Sequence, residues 1–514
     1  MNRTTLSLIA CATALAAVTG FAAVTSPDTS APDTTATAAE LPVERTSLTC
    51  PTPSVSDLAE TTYTSFTPVT KGTGSDGKAE LRPAVTESAD GEDAKDGKDG
   101  KTGKASGKGD KDGKGEKEAK AFLTAKEPGK PLAEDVSGSD SPALVGTADG
   151  KFAPGWTVQQ TTEVAAGTGR GLLGAACTAP DTDFWFPGAS TAADRTDYVH
   201  LVNPDDSAAV VDIELYGRDG ALETTTGEGI TVAPHSDDPV LLSTLTTEKL
   251  DNVTVHVSVR SGRVGASVQA LDDKLGGDWL GASVDPAGSL VIPGIPKDAT
   301  AVRLIAFAPG DADADLKVRL ASPTGQITPA GNETLHLKAG MTGAVDLGDV
   351  MRGEPGSLVL TPTGRSVPVV AAVRVVRGKG AGQETAFIPA TRPVGTRATV
   401  VDNRAKGTTL SLTAPFGAAE VKVTASAGSE GGTPATKSFT IKAGTTQQVE
   451  APVPSGLKGT YALTVESSGG EVHGARTITD AQDGVSAFTV QTLPDDRGTV
   501  AVPKADQDLS VLQQ

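Results

Sequence analysis

The sequence predicts an all-β molecule: tandem immunoglobulin-like antiparallel β-sandwiches that follow an N-terminal signal or anchor segment. Three observations carry the prediction. Short runs alternate apolar and polar residues at period two, the pattern of strands with one buried and one wet face. Gly, Pro, Asp and Ser turns separate the runs, and the helical period is nearly absent, with Leu242 to Leu250 the one stretch suited to a turn of helix. The pattern recurs with a spacing of about 105 residues across the C-terminal part of the 514-residue chain. Units of about 100 residues with six or seven strands suit a sandwich.

In chain order, Met1-Asn2-Arg3 is a short positive start, and Leu6 to Val24 runs without a charge. Residues 1–24 therefore read as a signal peptide, with Gly20-Phe21-Ala22 as a small-x-small cleavage site, or as a signal anchor whose span is residues 6–24. Leu8-Ile9-Ala10-Cys11 spells a lipobox, but most of the apolar run follows the cysteine, so Cys11 reads as incidental. Export makes the expected location extracellular or the cell envelope. Residues 25–40 read as a linker.

Residues 41–183 read as a β domain carrying a disordered Lys/Gly/Asp insert at about 86–130. The core of the insert, Glu87 to Lys120, has almost nothing apolar to repay chain ordering. Its Gly100-Lys101-Thr102 imitates the end of a phosphate-binding loop, but Lys95 stands where the first glycine is required. With the leader set aside, Cys50 and Cys177 remain, and an exported chain makes a disulfide between them the default. That bridge would tie the first strand of the domain to its last.

The repeats follow as 184–288, 289–384 and 385–514. Val211 to Leu215, Leu316 to Leu320 and Val421 to Val423 are equivalent. So are Ile230 to Pro234, Leu335 to Gly340 and Phe439 to Gly444. Phe184-Trp185-Phe186-Pro187, Ser289 to Pro293 and Thr385 to Pro389 share an apolar ending on proline and read as first strands.

Chemistry is sparse. A net charge of −19 is wrong for a nucleic-acid binder. The five histidines, His200, His235, His256, His336 and His473, share no ligand spacing and read as scattered surface residues; no metal or other cofactor is implied. Asp311-Ala312-Asp313-Ala314-Asp315 opens like a calcium loop, but Leu316 and Ser322 occupy its glycine and glutamate positions. Aromatic residues make up only 4% of the chain, which weighs against a sugar-stacking platform. Trp279, after the loop-like Leu275-Gly276-Gly277-Asp278, is the candidate ligand contact; the competing reading packs it onto its own sandwich.

The run Asp183-Phe184-Trp185-Phe186-Pro187-Gly188, with Tyr198-Val199-His200-Leu201-Val202-Asn203-Pro204-Asp205-Asp206, resembles an uncharacterised family of secreted actinobacterial proteins. The resemblance extends from Cys50-Pro51 over most of the chain. It implies an exported or membrane-anchored envelope protein, often encoded near a glycosyltransferase, and it implies no catalytic residues. The expectation is a non-catalytic scaffold, adhesion or accessory module. Its partners would be an envelope protein or a cell-wall glycan, with no nucleic acid, and a membrane only through the N-terminal segment. A glycan-binding protein using Trp279 is the alternative, and a hydrolase with an unrecognised site a third reading.

Overall fold

A computed structural model describes residues 39–86, 120–482 and 485–502. Residues 1–24, where the sequence suggests an export or anchor segment, nearly all of 25–40 and residues 87–119 lie outside the described residues. Ala39–Pro42 and Thr499–Val502 form a two-stranded sheet of their own.

Period-two alternation becomes antiparallel sheet, apart from a short parallel pairing of Val85–Thr86 with Ser236–Leu241, and Leu242–Leu245 is a single helical turn. The sheets are open and pair into sandwiches. The four sandwiches share one strand order. In the first, Arg45–Cys50, Leu144–Asp149, Ala79–Pro83 and Leu123–Thr124 make one sheet; Gly171–Ala176, Thr157–Val164, Ala59–Phe66 and Leu132–Ser137 make the other. The second repeats this with Asp183–Ala189 leading one sheet and Gly276–Leu280 at the edge of the other. Leu290–Ile295 and Glu384–Pro389 hold these places in the third, Arg397–Asn403 and Val485–Thr492 in the fourth. The region before the repeats is thus a fourth copy of the same topology.

Two sequence boundaries shift. Thr385 to Pro389, expected to open the last repeat, pairs with Val370–Arg377 and is the final strand of the third sandwich. Its Phe-Ile-Pro imitates the first strands, whose true counterpart is Arg397–Asn403. The first strands of the second, third and fourth sandwiches share a bulge instead: pairing slips between Pro187 and Ala189, between Ile292 and Ile295, and between Val400 and Asn403. Gly188, Gly294 and Asp402 take positive φ there, at 119°, 79° and 56°. Gly294 is required for a second reason: a Cβ would lie 2.4 Å from that of Ala475 in the next sandwich. The insert is also shorter than expected at its far end, because apolar Phe122 and Leu123 dock on the first sandwich, Leu123 pairing with Leu81.

The sandwiches close on one another. Arg45–Cys50 of the first packs on Gly265–Asp272 of the second. Asp183–Ala189 of the second packs on Ala299–Phe307 and Val370–Arg377 of the third. Leu290–Ile295 of the third packs on Thr408–Ala414 and His473–Gln482 of the fourth, and Arg397–Asn403 of the fourth returns to Ala59–Phe66 and Thr157–Val164 of the first. The result is a closed ring. The four edge strands Gly171–Ala176, Gly276–Leu280, Glu384–Pro389 and Val485–Thr492 pack around its axis, each against the next. Each sandwich has its own hydrophobic core, but Phe387 of the third also enters that of the second, and Phe488 of the fourth enters that of the third. Burying such a ring contributes roughly 2–3 kcal/mol, so the cores bind neighbours together as well as filling each sandwich.

Candidate functional site

The disulfide joins Cys50 to Cys177, with Cα atoms 4.5 Å apart. Cys50 ends the leading strand of one sheet and Cys177 follows the axial strand of the other, so the bridge crosslinks the two sheets of the first sandwich.

Trp279 is not on a loop. It lies in the axial strand Gly276–Leu280, opposite Gln269, and only 4% of it is exposed. Its ring packs among Ala59, Val164, Leu173 and Ala175 of the first sandwich and meets His200 at 5.3 Å. No face is left for a ligand. The glycines that suggested a loop allow close approach instead: a Cβ on Gly277 would lie 2.9 Å from the Cα of Gly169.

The histidines also differ from the expectation of a scattered surface set. His200 and His473 are buried, and all five side chains meet a carboxylate. His256 lies between Asp183 and Glu214 and stacks on Trp185 at 3.8 Å. Among the described residues no group of three or more His, Cys, Asp or Glu is placed to hold a metal. Within the acidic 311–315 turn, Asp313 accepts the Ala339 N–H and Asp315 meets His336.

Buried polar groups cluster where sandwiches meet, which alternation in the sequence does not reveal. At the axis, Asp278 of the second sandwich accepts the Gly174 N–H of the first at 3.2 Å, the Thr489 hydroxyl of the fourth at 3.1 Å and the Phe387 N–H of the third at 3.4 Å. One carboxyl thus touches all four sandwiches. Burial pushes its pKa well above the usual carboxylate range, against the pull of those donors. Nearby, burial raises Asp197 to about 6 although Arg195 holds it in a two-pronged pair. Glu384 rises to about 7 through burial, opposed by Arg170 at 3.7 Å. Between the first and second sandwiches, Asp237 accepts the Thr52 N–H at 2.9 Å and faces His200 Nδ1 at 3.1 Å. Burial alone would raise the Asp237 pKa; the imidazole and Thr52 hold it below the ordinary value. These groups are bonded to the protein itself; Asp278, Glu384 and Asp237 tie neighbouring sandwiches, while Asp197 is held within the second.

Two open grooves lie on the outside. The first, about 920 Å³, runs between the Arg45–Cys50 sheet and the 204–207 loop of the second sandwich. Its charges are mixed: Arg263 forks onto Asp205, His235 meets Asp206, and Lys78 and Arg82 flank Glu80. The second groove, about 620 Å³, occupies the equivalent place between the third and fourth sandwiches. Val359 lies at its base, Lys317, Arg319 and Thr361 along one side, and Pro415, Phe416, Ala443 and Gly444 along the other.

One comparison with known proteins returns a match. Residues 132–452 fit a family of unknown function, DUF5719. The chain belongs to that family. The DUF5719 span opens with strand Leu132–Ser137 of the first sandwich and closes just past Thr445–Val449 of the fourth, so it takes in parts of all four. Comparison with curated proteins and with solved structures returns no match.

Proposed function

We propose that this DUF5719 protein is an exported, non-catalytic component of an actinobacterial cell envelope, a scaffold or accessory module that presents loops from a rigid ring. The observation that carries the reading is the closure of four sandwiches around Asp278. Its buried titratable groups are engaged in holding sandwiches together, and a catalytic constellation calls for such groups converging on an accessible cavity. The disulfide suits an oxidising compartment, and the apolar run of residues 6–24 suits export or anchoring.

The test is crosslinking in intact envelopes followed by affinity capture of the tagged chain. Recovery of a defined envelope protein or glycan supports the reading. Recovery of the chain from the cytoplasmic fraction with no envelope partner overturns it.

A further inference from the structure

We propose that the groove between the third and fourth sandwiches binds an acidic glycan, a sugar chain carrying carboxylates or phosphates. Lys317 and Arg319 project from one strand, two residues apart and therefore on one face of the sheet. Neither makes an ion pair with a carboxylate among the described residues; the one polar contact of Arg319 is from Nη1 to the Val318 carbonyl. Among the described residues no Asp or Glu lines the groove. In a chain of net charge −19, such a site offers an anion a local attraction that most of the surface withholds.

Phe416 supplies the second element. Its side chain lines the groove from the 415–417 turn and is 57% exposed, in a chain whose aromatic rings are otherwise mostly interior. An exposed ring facing cations suits a sugar: the C–H face of a pyranose lies on the ring while its acid group reaches the guanidinium or ammonium. Gln326 is a positioning residue. Its amide donates to the Pro415 carbonyl at 2.9 Å and holds the turn that carries Phe416 against the third sandwich. At about 620 Å³ the groove is in the range of small-molecule sites and accommodates a few sugar units.

The equivalent groove between the first and second sandwiches provides an internal contrast. There Lys78, Arg82 and Arg263 face Glu80 and Asp205, so an incoming acid would have to displace the protein's own carboxylates. The same architecture therefore presents one groove of mixed charge and one lined by cations without carboxylates.

The binding reading stands apart from the envelope reading, which supplies only the natural source of the glycan. The purified, disulfide-intact chain is titrated with polygalacturonate, with a polyglycerol-phosphate polymer and with neutral dextran. Binding to either acidic polymer, at least about tenfold tighter than to dextran and weakened by salt, supports the proposal and identifies the acid. A Lys317→Ala/Arg319→Ala double variant should weaken binding about tenfold or more, and Phe416→Ala several-fold, with melting temperatures unchanged because these side chains lie at the surface. Arg45→Ala in the other groove should leave binding as it is. Equal affinity for dextran, no binding to either acidic polymer, or binding insensitive to the double variant overturns the proposal.

Discussion

Between the second and third sandwiches the contact is mainly aromatic, with the Arg374–Asp272 ion pair at 2.7 Å and the Thr342 hydroxyl on the Tyr216 carbonyl as polar ties beside it. Trp185 stacks on Phe307 at 5.4 Å, Tyr216 leans on the same ring at 4.6 Å, and Val370 completes the cluster. Between the fourth and first, where the ring closes, the contact is built on polar groups. Buried Arg476 donates to the Gln159 side chain at 3.0 Å and to the Asp402 carbonyl at 3.1 Å, and Val401 N–H donates to the same Gln159 oxygen. Burial holds Arg476 down to about 10, partly offset by the nearby Asp402 carboxylate. The second and third sandwiches are consecutive and joined by a short connection, so their effective concentration is high and non-directional packing can supply much of the contact. The first and fourth are neighbours in the ring but far apart in chain order. A network of directional bonds there accepts only a surface with matched donors and acceptors, so selectivity is concentrated at the junction that chain connectivity does not enforce.

The largest way to break this contrast acts on the first sandwich. Replacing Cys50 and Cys177 by serine releases a loop of sequence separation 127 and should cost at most about 4–5 kcal/mol in denaturant titrations. The closing junction depends on that sandwich, so hydrogen exchange should quicken at 159–160 and 401–403 while protection around 185 and 307 persists. Uniform loss of protection would show that the ring opens as one unit and that the junctions do not differ.

Next in size is Arg476→Met, at about 3 kcal/mol, the lower end for breaking a buried charge pair because Arg476 bonds to the Asp402 carbonyl and only approaches its carboxylate. Adding Asp402→Asn, which removes the orphaned charge and tolerates the positive φ of 56°, should recover part of the loss. Additive losses would mean the two charges are not coupled. Phe307→Leu sharpens the other side. A near-conservative apolar swap should cost less than about 1.5 kcal/mol, since packing can adjust where hydrogen bonding cannot. A cost equal to that of Arg476→Met would erase the distinction.

How much of this was legible in the sequence follows from what alternation encodes. Period two and the recurring Val211, Leu316 and Val421 runs show sandwiches plainly, because each strand must bury one face. The fourth copy was hidden: the insert between Thr86 and Lys120 shifts its spacing away from the common period. Ring closure leaves hardly any pattern, because the contacts are made through small residues such as Gly174 and Gly294 and through single polar groups such as Asp278 and Gln159. Trp279 was misplaced because Gly276 and Gly277 suggested a loop, and His200 for a second reason. Alternation says which side of a sheet a residue takes, but a neighbouring sandwich covers the side that would be wet in an isolated domain. The Cys50–Cys177 bridge was readable because only two cysteines remain beyond the leader.

The smallest effect tests a place of intermediate character. Glu384 of the third sandwich lies beside Arg170 of the first, with its carboxylate close enough to Gly276 of the second that a Cβ there would come within 2.8 Å. It has a cation nearby but not a close pair, and burial raises its pKa from 4.5 to about 7. The sign follows from proton linkage. Below pH 4.5 both folded and unfolded chains hold the proton, and the group costs nothing. As pH rises to about 7 the unfolded chain ionises first, so its contribution to stability falls; above that both are ionised and the loss is complete. Glu384→Gln has no proton to lose. The melting temperature of the variant, relative to the native chain, should therefore climb between pH 4.5 and 7 and then level. A difference that stays flat across that window would mean Arg170 compensates the carboxylate fully, and this meeting point would then belong with the closing junction as a satisfied polar tie.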